Sequence, residues 1–176
     1  MIDFNRNHFE LFELPVRFAL ERSELDTRYR QLQNEVHPDR FAHLPEHERR
    51  LSMQWATQVN GAYQTLKTPL SRAAYLLSLH AIDALGPTQT AMPAEFLMEQ
   101  MEWREAIDEG RATGDVHTLE SLSARLAKES AGLLELLHQE IDLEQDFTAA
   151  ALTVRKLKFM EKLDEDIGNA IEALLG

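Results

Sequence analysis

The sequence predicts an all-α protein, and three observations carry that prediction. Apolar residues recur every three or four positions along most of the 176 residues, the period of a helix with one buried face. No segment alternates apolar and polar residues in the Val/Ile/Thr-rich manner of a strand, and glycine is sparse at seven. The prolines fall where periodic runs begin or end, not inside them. The pattern divides the chain into an amino-terminal helical module over residues 1–80, a linker over 81–92 and an antiparallel three-helix bundle over 93–176.

Ser23 with Asp26 forms a capping-box-like start to the first long helix. Leu25, Tyr29, Leu32 and Val36 then make an apolar stripe through residues 24–37, predicted to face the core. Pro38 lacks an N–H and pushes His37 out of the α region, so that helix must stop there. A second stripe, Leu51, Trp55, Val59, Ala62 and Leu66, runs through residues 46–67, and Tyr63 is assigned to the core beside it. The two helices make an antiparallel hairpin with the polar tripeptide His37-Pro38-Asp39 at its tip. Thr68-Pro69 suits the N-cap and first position of a short further helix, and Pro93 the first turn of another. Between them, Gly86-Pro87-Thr88-Gln89-Thr90 is the strongest punctuation in the chain.

Beyond the linker, a helix is expected from about Ala94 to Glu109, ending at Gly110, with Gly114-Asp115 completing the turn. The next carries Leu119, Leu122, Leu126, Leu133, Leu137 and Ile141. The last starts near Thr148 and carries Leu152, Phe159, Leu163, Ile167 and Leu174. Long stripes joined by short turns imply an antiparallel bundle.

Composition narrows the function. Apolar residues make up 44%, enough for a core, and no run approaches the roughly 20 apolar residues that span a bilayer. Met1-Ile2-Asp3-Phe4-Asn5 lacks the basic and hydrophobic regions of a secretory signal, so the cytoplasm is the expected compartment. There is no cysteine, which excludes disulfides, Cys-ligated zinc and a thiol nucleophile. Residues 1–80 hold ten basic and ten acidic side chains, whereas residues 81–176 hold eight and twenty, the whole net charge of −12. That imbalance argues against nucleic acid and for two modules with different partners.

Four ordered features of the first module resemble the J domain, the co-chaperone module that stimulates the ATPase of DnaK-type chaperones. His8-Phe9-Glu10-Leu11-Phe12-Glu13-Leu14-Pro15 is similar to the family's first helix and its Leu-Pro stop. A basic amphipathic helix leads into His37-Pro38-Asp39, followed by Arg40 where the family often has Lys. Asn60-Gly61-Ala62-Tyr63-Gln64-Thr65-Leu66 resembles the end of its third helix, and Arg72-Ala73-Ala74-Tyr75 falls in the fourth. Further on, Ala74-Tyr75-Leu76-Leu77-Ser78-Leu79-His80, Phe96-Leu97-Met98-Glu99-Gln100-Met101-Glu102 and Val154-Arg155-Lys156-Leu157-Lys158-Phe159 resemble the bacterial HscB family. Those are the J-type co-chaperones of iron–sulfur cluster assembly, and the resemblance runs over nearly the whole chain.

The resemblance implies two sets of binding residues and no catalytic ones. His37, Pro38 and Asp39 would meet a DnaK-type (HscA-like) ATPase chaperone, with Asp39 accepting from an arginine of the partner. Arg28, Arg30 and Arg40 would steer that encounter, although helix charges of this kind also serve as an ordinary solvated face. Leu97, Met98, Met101, Glu102, Glu105, Glu109 and Phe159 would contact an IscU-like iron–sulfur cluster scaffold protein. Independently of the resemblance, Phe96, Leu97, Met98, Met101 and Trp103 are too many apolar side chains for one narrow stripe, so some must reach the surface. Phe159 also fits the core stripe of its own helix.

No cofactor is expected. Clusters are held mainly by Cys thiolates, so this chain would handle a scaffold and carry no cluster of its own. His43 and His47 have metal-pair spacing, but Pro45 between them and the lack of a Cys or a nearby third His favour surface or capping roles. An enzyme using His37 and Asp39 as an acid–base pair would lack a nucleophile motif, a phosphate loop and a metal cluster.

Overall fold

The computed structural model describes residues 3–87 and 91–176; Thr88, Gln89 and Thr90 of the expected linker lie outside the described residues. The fold is all-α. Its helices are α1 (His8–Leu11), α2 (Arg22–Val36), α3 (Glu46–Lys67), α4 (Pro69–Leu79), α5 (Ala94–Thr113), α6 (Val116–His138) and α7 (Phe147–Leu175). A 3-10 turn spans Pro38–Phe41 and a π turn spans Gln139–Leu143. The chain divides into two compact units, Met1–Leu76 and Leu77–Gly176, with the division inside α4.

In the first unit, α1 is only four residues long and is fixed at its start by a capping box, in which Asn7 and Glu10 exchange side-chain-to-backbone hydrogen bonds. It carries the buried Phe9 and Leu11 and ends at the buried Phe12, and Leu25, Val59, Leu66 and Leu76 of the same unit are buried as well. The expected cap at Ser23 is not used. The helix begins two residues earlier than that cap would set it, at Arg22, after Glu21, which makes no side-chain cap bond. Asp26 Oδ1 instead accepts from the Tyr63 hydroxyl of α3 at 2.7 Å and from Arg22 Nε, one turn back on its own helix, at 2.9 Å. Those donors hold the Asp26 carboxyl below its ordinary pKa, the Tyr63 bond being the larger cause.

Leu32 and Tyr63, both expected in the core, are only partly buried. Tyr63 is amphipathic, and its ring stacks on Tyr29 at 4.0 Å while its hydroxyl stays at the surface edge with Asp26. The fully buried stripe of α3 is Ser52, Trp55, Val59, Ala62 and Leu66. Arg72 is buried because its guanidinium satisfies two backbone carbonyls, Phe18 and Leu66, each at 2.8 Å.

In the second unit, α5, α6 and α7 form the expected bundle around Phe96, Trp103, Ile107, Leu119, Leu126, Leu163 and Ile167. α5 continues past the expected stop at Gly110. That glycine lies inside the helix, where an added Cβ would sit 2.9 Å from Leu119 Cδ2, so it marks a close approach to α6 and not a helix end. The end is Gly114, whose φ of 67° closes the helix in the left-handed conformation. Asp115 and Asp146 cap α6 and α7, accepting from the N–H groups of Thr118 and Ala149. α7 buries Val154, Leu157 and Met160 as well as Leu163 and Ile167, while Leu152, Phe159 and Leu174 lie at the margin of its inner face.

Candidate functional site: a loop tip and a helix face

The loop at the end of α2 follows from the chemistry of Pro38. His37 takes an extended conformation (φ −60°, ψ 130°), as a residue before proline must, and the chain turns at once into the Pro38–Phe41 turn. Breaking the helix here leaves carbonyls of its last turn without helical partners. Two side chains take them up. Ser52 Oγ, buried on α3, donates to the Val36 carbonyl at 3.2 Å, and Arg40 Nη1 donates to the Asn34 carbonyl at 3.2 Å. Phe41 packs edge-on against Trp55 with ring centres 6.1 Å apart.

The base of the loop is therefore anchored, while its tip is open to solvent. Within the tip, the Asp39 N–H donates to His37 Nδ1 at 3.2 Å, which leaves Nε2 of a neutral imidazole to carry the proton. The Asp39 side chain is 92% exposed, with its carboxylate 3.6 Å from His37 Nδ1. A carboxylate that projects into water suits contact with a large partner, not general-base work inside a pocket.

The three arginines are not equivalent. Arg28 Nη1 bonds Glu13 Oε2 at 2.9 Å, tying α2 to the segment after α1. Arg30, two residues on and so on the far side of the helix, is exposed. Arg40 is exposed too, but its guanidinium is engaged at the end of α2.

The second surface belongs to α5. Phe96, Gln100, Trp103, Ile107 and Gly110 recur at alternating spacings of four and three and make its buried face. Leu97, Met98 and Met101 fall outside that register and are 44%, 63% and 62% exposed. Glu102, Glu105 and Glu109 continue the exposed side toward the end of the helix. Phe159 differs from the other apolar members of the set. It is half-buried, packing edge-on against Phe96 at 5.7 Å, and belongs to the rim of the bundle core. Leu97, Met98 and Met101 are thus openly presented and Phe159 lies at the margin. A cluster of exposed apolar side chains rimmed by carboxylates, on a unit of strong negative charge, has the make-up of a protein-docking face.

The chain as a whole has clear counterparts among known proteins. Residues 92–168 match the family described as the HSCB C-terminal oligomerisation domain. A curated protein of Azoarcus sp. (strain BH72), named co-chaperone protein HscB homolog, is 53% identical over 173 residues, covering 98% of each chain. The chain belongs to the HscB family of co-chaperones. The structure of chaperone HscB from Vibrio cholerae superposes with a TM-score of 0.84 at 39% identity, over 96% of this chain and 99% of that one. Human co-chaperone protein HscB superposes with a TM-score of 0.88 at 30% identity, over 96% of this chain and 83% of the human one.

Two contributors were not picked out from the sequence. Ser52 is in the +3/+4 register of Trp55, Val59, Ala62 and Leu66, so the periodicity itself places it inside. Its role at the Val36 carbonyl required knowing where α2 ends in space. Gln100 sits in the buried register of α5, 5% exposed, with neither amide atom hydrogen-bonded within the protein. Among the described residues no helix is long and apolar enough to cross a membrane, and no group of three or more His, Cys, Asp or Glu could hold a metal ion.

Proposed function

We propose that this HscB-family co-chaperone works as an adaptor. The first module, residues 1–80, stimulates the ATPase of a DnaK-type (HscA-like) chaperone through His37, Pro38 and Asp39. The bundle, residues 93–176, brings an IscU-like iron–sulfur cluster scaffold protein, and residues 81–92 link the two. The chemistry is then the chaperone's, in the cytoplasm. This chain contributes binding energy that shifts the partner between states, and is not itself an enzyme.

The observation that carries this reading is the anchored base and open tip of the loop: Ser52 and Arg40 hold its foot while the Asp39 carboxylate projects into solvent. A preorganised carboxylate is suited to a charge-assisted, bidentate pair with an arginine of the chaperone. Arg40 leaves positive charge next to it in the turn, and Arg30, exposed further back on α2, adds to the field that guides the approach. On the other module, Leu97, Met98 and Met101 supply an apolar centre, Phe159 its margin, and Glu102, Glu105 and Glu109 a charged rim.

The client half is tested by substitution in the full chain. Replacing Leu97 and Met101 by Ala should weaken scaffold binding by at least about 2 kcal/mol, because interface energy concentrates in a few central side chains. Neutralising the three glutamates should slow association, with an effect that fades as salt rises. Unchanged scaffold affinity after the apolar double substitution would move the client site elsewhere.

A further inference from the structure

We propose that Met98 and Met101 form an oxidation-sensitive switch: conversion of their thioethers to sulfoxides by a hydroperoxide releases the client. This rests on the reading of the outer α5 face as the client site and adds a regulatory modification to it.

The described methionines fall into two environments. Met160 is 5% exposed in the bundle core and Met92 packs against that core, whereas Met53, Met98 and Met101 are 60%, 63% and 62% exposed. Among the described residues, two of the three exposed thioethers lie three residues apart on one face of a single helix, beside Leu97. The chain has no cysteine to intercept an oxidant, and both tryptophans are buried, at 9% and 3% exposure. Exposed thioether sulfur is therefore where a two-electron oxidant reacts.

In that reaction a sulfur lone pair attacks the terminal oxygen of the hydroperoxide. The S–O bond forms as the O–O bond breaks, and the proton on the transferred oxygen passes to the departing one. Sulfur is oxidised by two electrons, the peroxide is reduced, and water leaves when the oxidant is hydrogen peroxide. The product places a strongly hydrated S=O group in the middle of an apolar patch, and docking must strip that hydration away.

The change is confined to the docking side. Phe96, Trp103 and Ile107 hold α5 to the bundle from its opposite face, so the fold survives the modification. No charge is added, so the glutamate rim keeps its steering effect and the loss falls on complex lifetime. Sulfoxides are reversible by the two epimer-specific reductases, which makes the modification a switch and not only a lesion.

The test treats the full chain alone with dilute hydrogen peroxide, removes the oxidant, and maps each methionine by peptide mass spectrometry. Untreated apo scaffold protein is then titrated against it. Met53, Met98 and Met101 should oxidise well ahead of Met160, with the dissociation constant for the scaffold rising about tenfold or more and returning after treatment with both reductases. Met53 is a built-in control, since it is equally exposed but lies on α3. A chain carrying M98L and M101L keeps Met53, and whatever its starting affinity, peroxide should leave that affinity unchanged.

The switch is overturned if the doubly oxidised chain binds as well as the reduced one. It is equally overturned if Met98 and Met101 oxidise no faster than Met160, or if peroxide weakens the M98L/M101L chain just as much. Failure of the underlying client reading looks different: there, Leu97→Ala with Met101→Ala would leave scaffold binding intact before any oxidant is used.

Discussion

Substituting Asp39 by Asn removes one charge while keeping nearly the same shape, and the structure separates its two consequences. The side chain is 92% exposed, so solvent already surrounds it and little packing is lost. The backbone bond from the Asp39 N–H to His37 Nδ1 survives the change, as do the anchors from Ser52 and Arg40. The cost to folding should therefore stay within about 0.5 kcal/mol, the range of an ordinary surface substitution. The chaperone-facing cost is larger, because a hydrogen bond to a charged group is worth roughly 1.5–3 kcal/mol, or a loss of about tenfold to a hundredfold in productive engagement. The assay pairs a thermal melt by circular dichroism with single-turnover ATP hydrolysis by a DnaK-type chaperone across a titration of this protein. A flat melt with stimulation lost is the expected pair of results. A lowered melting temperature would show that the loop is structural, and full stimulation by the variant would remove Asp39 from the contact.

Two further perturbations probe the bundle. Gly114→Ala should destabilise by about 1–2 kcal/mol, because Gly114 ends α5 at a φ of 67° where a Cβ is strained, and chemical denaturation will measure it. Glu140→Gln should raise the melting temperature at neutral pH. Burial pushes the Glu140 carboxyl above its ordinary pKa, with Asp146 and Glu144 adding to the rise and Lys156 and the Thr153 hydroxyl opposing it. The native state thus holds that proton more tightly than the unfolded chain. The stability it provides is complete below the usual carboxylate range, about 4.3, and is lost as pH rises through the higher native value. Melts from pH 4 to 8 should therefore fall less steeply for the Gln variant, and parallel curves would contradict the assignment.

The helices and the loop were legible along the chain, because both are written in local chemistry. A 3.6-residue period needs only neighbours along the chain to be read, and Pro38 ends α2 through its own missing N–H and the constraint it places on His37. The same period showed that Phe96, Leu97, Met98, Met101 and Trp103 are too many for one buried stripe, so some had to be outside; that these are Leu97, Met98 and Met101 was decided by the fold. Residues whose role depends on a distant partner were decided only by tertiary structure. Gly110 has the look of a helix stop, yet it is the gap into which Leu119 fits. Asp26 has the spacing of a cap, yet it serves the Tyr63 hydroxyl thirty-seven residues away. Ser52 has nothing in its local sequence to connect it with the carbonyl of Val36, and Phe159 sits at the core margin because Phe96 packs against it from another helix. Backbone propensity and periodicity act over a few residues and are legible in order. Hydrogen-bond satisfaction and close packing are settled between segments that meet only once the chain has folded.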